Sequence, residues 1–91
     1  MTITENSNLK IYVFTADWCS HCHLIKRELA NFDYNINFLD IDEHEALADE
    51  FNVFSLPTVI LTNENRDILY WGNENTTKDI LKQEIKKHIA E

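Results

Sequence analysis

The chain has no apolar run approaching the roughly 18 residues that cross a bilayer. Its start, MTITENSNLK, holds no basic segment followed by an apolar one. Both absences point to a protein that stays in the cytoplasm and off the membrane. Basic residues are scarce too: eight Lys and Arg stand against sixteen Asp and Glu, a formal charge of −8. That balance argues against a nucleic-acid partner, whose phosphates call for the opposite sign, and favours basic or neutral protein surfaces. Repeats, linkers and low-complexity segments are lacking, and glycine and proline occur once each, as Gly72 and Pro57. There are only two cysteines, three positions apart. In a reducing compartment such a pair is no structural staple and points to metal binding or catalysis.

What is present suits one domain, expected to span residues 1–91 with residues 1–8 as a loose leading segment. Ninety-one residues, 44% hydrophobic and with ten aromatic side chains, can offset their ordering entropy by burial. From Leu9, LKIYVFTA reads as a buried strand to about Phe14. From Ser20 to about Phe32, Cys22, Ile25, Leu29 and Phe32 recur at helical steps, predicting a helix with one buried stripe. Turn residues in NFDYN precede a second strand, Ile36 to Ile41, and a short acidic helix, Glu43 to Glu50. A strand, a helix and a strand within some thirty residues make a parallel βαβ unit.

Pro57 opens TVILT, a third strand, and NENR turns into DILYW, a fourth, although the Asn-Gly or Asp-Gly hairpin signal is absent. Thr76 and Asp79 resemble a capping box for a last helix with the stripe Ile80, Leu81, Ile85 and Ile89. Basic residues gather in its final turns. The expected architecture is α/β, order βαβαββα, with a mixed four-stranded sheet flanked by helices.

In such folds ligands sit beyond the carboxyl ends of the parallel strands, where Trp18-Cys19-Ser20-His21-Cys22 falls. At a helix N-terminus, unpartnered N–H groups and the dipole favour a negative charge, so Cys19 is the expected thiolate nucleophile. Cys22, in the first turn and on the buried stripe, is the expected resolving thiol. An imidazolium at His21 would favour the Cys19 thiolate further and make the couple more oxidising. His23 reads as a solvated surface residue.

ADWCSHC followed by an amphipathic helix, with SLPTVIL thirty-odd residues on and a glycine after the next hairpin, resembles the thioredoxin family. The resemblance covers nearly the whole chain from Leu9. It implies a minimal thioredoxin fold and a redox-active Cys19–Cys22 disulfide that exchanges with protein disulfides. It also implies a cis peptide at Leu56-Pro57 facing that disulfide, with Trp18, Leu56 and Pro57 meeting the substrate. A monomer with no cofactor and no metal is implied, re-reduced by a separate reductase or by glutathione.

Three features depart from the family pattern. Val13 stands six positions ahead of Cys19, where thioredoxins usually carry a buried aspartate, and Phe38 replaces the neighbouring lysine. Ser-His between the cysteines resembles disulfide isomerases and DsbA oxidases more than the usual Gly-Pro. Only eighteen residues precede Cys19, a trimmed plan closer to glutaredoxins and NrdH-type redoxins.

Rival readings are weaker. A glutaredoxin would show a Gly-Gly pair where Trp71-Gly72-Asn73 stands. Cys19-Ser20-His21-Cys22-His23 fits the haem-attachment pattern, but attachment normally follows export. A zinc site built on Cys19, Cys22, His21 and His23 is too contiguous to surround one ion. Two alternatives stay: a glutaredoxin- or NrdH-like electron donor using glutathione or a reductase, and non-enzymatic metal binding by the reduced Cys19/Cys22 pair with His21.

Overall fold

The β-branched and aromatic run after Leu9 forms β1 (Lys10–Thr15), buried along its whole length after the first residue. The computed structural model describes residues 9–89; the leading segment 1–8, expected to be loose, lies outside the described residues. After β1 come α1 (Ser20–Glu28), β2 (Ile36–Asp40), α2 (Glu45–Glu50), β3 (Thr58–Thr62), β4 (Ile68–Gly72) and α3 (Lys78–Ile89). The order is the expected βαβαββα.

The strands form one sheet, β2-β1-β3-β4. β1 and β2 run parallel, as their helical crossover requires, and β3 runs antiparallel to β1 and to β4. The ends of β1 and β2, the start of β3 and the end of β4 therefore share one edge of the molecule.

Alternation along the strands gives the sheet two faces. On one, Ile11, Val13, Val59 and Leu61 pack against Ile25 and Leu29 and against Leu81 and Ile85 of α3. On the other, Tyr12, Phe14 and Ile60 meet Ala48, Phe51 and Val53. The Phe51 ring lies 5.5 Å from that of Tyr12 and 6.4 Å from that of Phe14.

Three local readings need correction. First, α1 ends at Glu28 with Leu29 as its cap, short of Phe32. Asn31 takes a φ of 60°, a left-handed conformation that asparagine tolerates, and turns the chain. Phe32 still packs on the core, beside Tyr34, after the helix has ended. Second, Thr77 rather than Thr76 caps α3: its Oγ1 accepts the Ile80 N–H at 3.2 Å. Thr76 is buried and its hydroxyl bonds the Tyr70 hydroxyl at 2.9 Å instead. Third, Ile80 lies outside the buried stripe at 36% exposure, while Leu81 and Ile85 are covered.

The β3–β4 hairpin forms without glycine. Asn63 Oδ1 accepts the N–H groups of Asn65 and Asp67 at 2.9 and 3.0 Å. Arg66 takes the left-handed position with φ 67°. Its Nη1 donates to both Glu50 carboxylate oxygens at 2.8 Å, which ties the turn to α2 and raises the guanidinium pKa.

Candidate active site

β1 delivers Ala16 to the carboxyl edge of the sheet, and α1 begins four residues later. Cys19 is the N-cap of that helix: its backbone is extended (φ −98°, ψ 109°) and its Sγ accepts the Cys22 N–H at 3.2 Å. A sulfur thus fills the place usually taken by a serine or aspartate oxygen. Cys22 follows in the first turn. The two form a disulfide with Cα atoms 5.2 Å apart.

The partners differ in access. Cys22 is fully buried, whereas Cys19 keeps 7% of its surface exposed. They cluster with Ala16, and Ile41 and Leu56 pack against them. Ile41 reaches the cluster from just beyond β2, where its N–H donates to the Thr15 carbonyl at 2.8 Å.

Leu56 arrives on the segment between α2 and β3, which is anchored at both ends. Asn52 closes α2 with φ 59°, its N–H donates to Asp49 O, and the Val53 N–H donates to Ala48 O at 2.8 Å. Those paired bonds are a Schellman motif. At the other end, Thr58 Oγ1 donates to Ser55 O at 2.6 Å. Between the anchors the Leu56-Pro57 peptide is cis and Pro57 is buried.

Trp18 is 73% exposed beside Cys19, and His21 is exposed on the first turn of α1. Trp71 lies on β4 opposite Ile60 and is half-covered. His23, read from sequence as a solvated residue, is exposed but engaged: Nε2–H donates to the Asp17 carbonyl at 3.1 Å. The carbonyl can only accept, so the proton sits on Nε2. A histidine four residues after an N-cap, with the chain doubling back before the cap, is the signal that could have found it. Phe54, 89% exposed on the anchored segment, was also missed. An aromatic between Val53 and Ser55 in a loop was its only sign.

Val13 and Phe38 are direct partners across β1 and β2. Val13 is fully buried among aliphatic side chains, so no carboxylate lies under the disulfide from that strand position. Among the described residues, no group of three or more His, Cys, Asp and Glu could hold a metal ion. Among them, too, no helix is long and apolar enough to cross a membrane.

The family model described as thioredoxin matches residues 1–87. This chain belongs to the thioredoxin family. An H-type thioredoxin of Ricinus communis is 35% identical over 94% of this chain and 75% of its own length. A thioredoxin of Methanocaldococcus jannaschii is 30% identical over 91% of this chain and 99% of its own length, so a short plan of this kind occurs among thioredoxins. Among solved structures, one titled as thioredoxin-2, a component of the malaria parasite's protein secretion machinery, superposes with a TM-score of 0.77. It is 30% identical and covers 89% of this chain and 84% of that one. With the paired cysteines behind Trp18, these likenesses make the chain a thiol–disulfide oxidoreductase.

Proposed function

We propose that this thioredoxin-family protein reduces protein disulfides, with Cys19 as nucleophile and Cys22 as resolving thiol. The observation that carries the assignment is the N-cap geometry. The Cys22 N–H points at Cys19 Sγ, and Cys19 alone of the two reaches the surface. In the reduced protein that N–H and the helix dipole stabilise a thiolate at Cys19.

The chemistry balances as a two-electron exchange. Cys19 thiolate attacks one sulfur of the substrate disulfide; that bond breaks and the leaving thiolate takes up a proton. Cys22 then loses its proton and attacks Cys19 Sγ, which releases the second substrate thiolate and closes Cys19–Cys22. The substrate gains two electrons and two protons; the protein supplies both electrons and the Cys22 proton, and solvent supplies the other. Trp18, Leu56 and Pro57 line the approach, and His21 favours the Cys19 thiolate from the solvent side. A separate reductase or the glutathione pool regenerates the dithiol. This reading needs no bound cofactor or metal and describes a monomer acting as one domain in the cytoplasm.

The test separates the two cysteines. Cys22→Ser should accumulate a mixed disulfide with a peptide disulfide, visible by mass spectrometry, whereas Cys19→Ser should form none and fall to background turnover. Trapping through Cys22 in the Cys19→Ser protein would reverse the roles. For His21, replacement by alanine should lower the reduction potential by roughly 30 mV, a ten-fold change in the exchange equilibrium. An unchanged potential would remove His21 from the site.

A further inference from the structure

Strands β1 and β3 bury their apolar side chains, and Phe38, Ile68 and Trp71 on the outer strands are exposed by 40–45%, but Phe54 at 89% and Trp18 at 73% exceed them all. Phe54 is two residues from Leu56, which packs on the disulfide, and Trp18 directly precedes Cys19. The exposure is built in, not slack. The Schellman bonds at Asn52 and Val53 hold one side of Phe54, and the Thr58–Ser55 bond holds the other. Val53, its neighbour, is buried in the core. A phenyl ring held in water by a fixed backbone forfeits the transfer energy that burial, here against a partner, would return.

Charge at this edge is mainly negative. Asp17 precedes Trp18, Asp42 and Glu43 follow β2, and Glu74 follows Gly72; all four are exposed. Of the eight Lys and Arg, none lies within residues 15–25, 40–45, 54–57 or 72–77, the stretches nearest this edge, and Lys78 follows them directly as the first residue of α3. Lys10, Lys26, Arg27 and Arg66 sit at the far ends of β1 and α1 and in the far hairpin, and Lys82, Lys86 and Lys87 lie further along α3. A partner that covers the two rings must approach through these carboxylates, and a cationic chain does so most favourably.

We propose that Phe54, within this acidic edge, selects the substrate: a polypeptide disulfide flanked by a large apolar side chain and by Lys or Arg. Phe54 receives the apolar side chain while the basic residues meet the surrounding carboxylates. The inference rests on the disulfide-exchange reading above and adds the class of substrate to it.

The test uses the full chain, pre-reduced, against symmetric peptide disulfides with Leu-Lys, Leu-Glu or Ser-Ser flanks and against uncharged hydroxyethyl disulfide. Each rate is divided by that of the same disulfide with dithiothreitol, which removes differences in leaving-group reactivity. The Leu-Lys peptide should react about ten-fold faster than Leu-Glu at low ionic strength, and the ratio should collapse near 1 M salt. Phe54→Ala should lower the ratio of the Leu-Lys rate to the hydroxyethyl disulfide rate about ten-fold, the scale of one lost apolar contact. Equal normalised rates across the three peptides, or an unchanged ratio in Phe54→Ala, would overturn the selectivity while leaving the exchange reaction standing. Failure of the wild-type protein to reduce hydroxyethyl disulfide would overturn the exchange reading and this inference with it.

Discussion

The sheet face under α1 and α3 and the carboxyl edge of the same sheet use similar side chains to opposite ends. Val13, Val59, Leu61 and Leu81 are fully covered, each filling space left by its neighbours. At the edge, Phe54 and Trp18 are mostly in water although the backbone beside them is fixed by hydrogen bonds. The first arrangement spends apolar area on folding; the second holds it available for contact. Cys19 and Cys22 lie at the boundary, one sulfur reaching the surface and the other sealed. The contrast predicts that substitutions will sort by region: those on the covered face should cost stability, and those at the edge should cost recognition.

The largest effect on stability is expected at Leu81, whose side chain from α3 is wholly buried against the first face. Leu81→Ala should lower the unfolding free energy by about 2–5 kcal/mol in a urea titration. A loss below about 1 kcal/mol would mean that the face can collapse around the gap and that the two regions differ less than their burial suggests. Next comes Gly72, where β4 ends closed in by the turn into α3. A methyl group there would run into the Thr76 and Tyr70 hydroxyl oxygens. Those hydroxyls bond each other at 2.9 Å and hold the turn into α3. Gly72→Ala should cost roughly 1–3 kcal/mol through overpacking. Adding Thr76→Ala should be less than additive, because it removes one of the colliding atoms. Strict additivity would place the cost elsewhere.

The covered face was more legible in the sequence than the edge, for a physical reason. Strands buried on both faces read as short β-branched and aromatic runs, as in KIYVFT and TVILT, and the stripe of α3 was legible at Leu81 and Ile85 although not at Ile80. The cysteine pair was legible because the chemistry demands that spacing at a helix start. Boundaries failed where one backbone conformation decides them. Nothing in NFDYN required Asn31 rather than Asp33 to turn left-handed, and α1 was drawn too long. Thr76 and Thr77 are equivalent as letters; only the Tyr70 hydroxyl beyond Gly72 captures the first and leaves the second to cap α3. The His23 bond to Asp17 and the exposure of Phe54 depend on how a loop folds back, which carries no period at all.

The smallest expected effect on stability is the most informative. Phe54 makes so little contact that Phe54→Ala should change the unfolding free energy by no more than about 0.5 kcal/mol, as surface substitutions generally do. Removing a ring of comparable size from the covered interior, Phe14, would open a cavity and cost several times as much. If the edge ring also helped to hold the anchored segment in place, its loss would loosen Leu56 against the disulfide, and the urea midpoint would fall with it. A stable Phe54→Ala protein with altered peptide selectivity would therefore separate recognition from folding within four residues of chain, from buried Val53 to Leu56 against the cysteines. A destabilised one would make Phe54 part of the fold, and the contrast between face and edge would lose its clearest case.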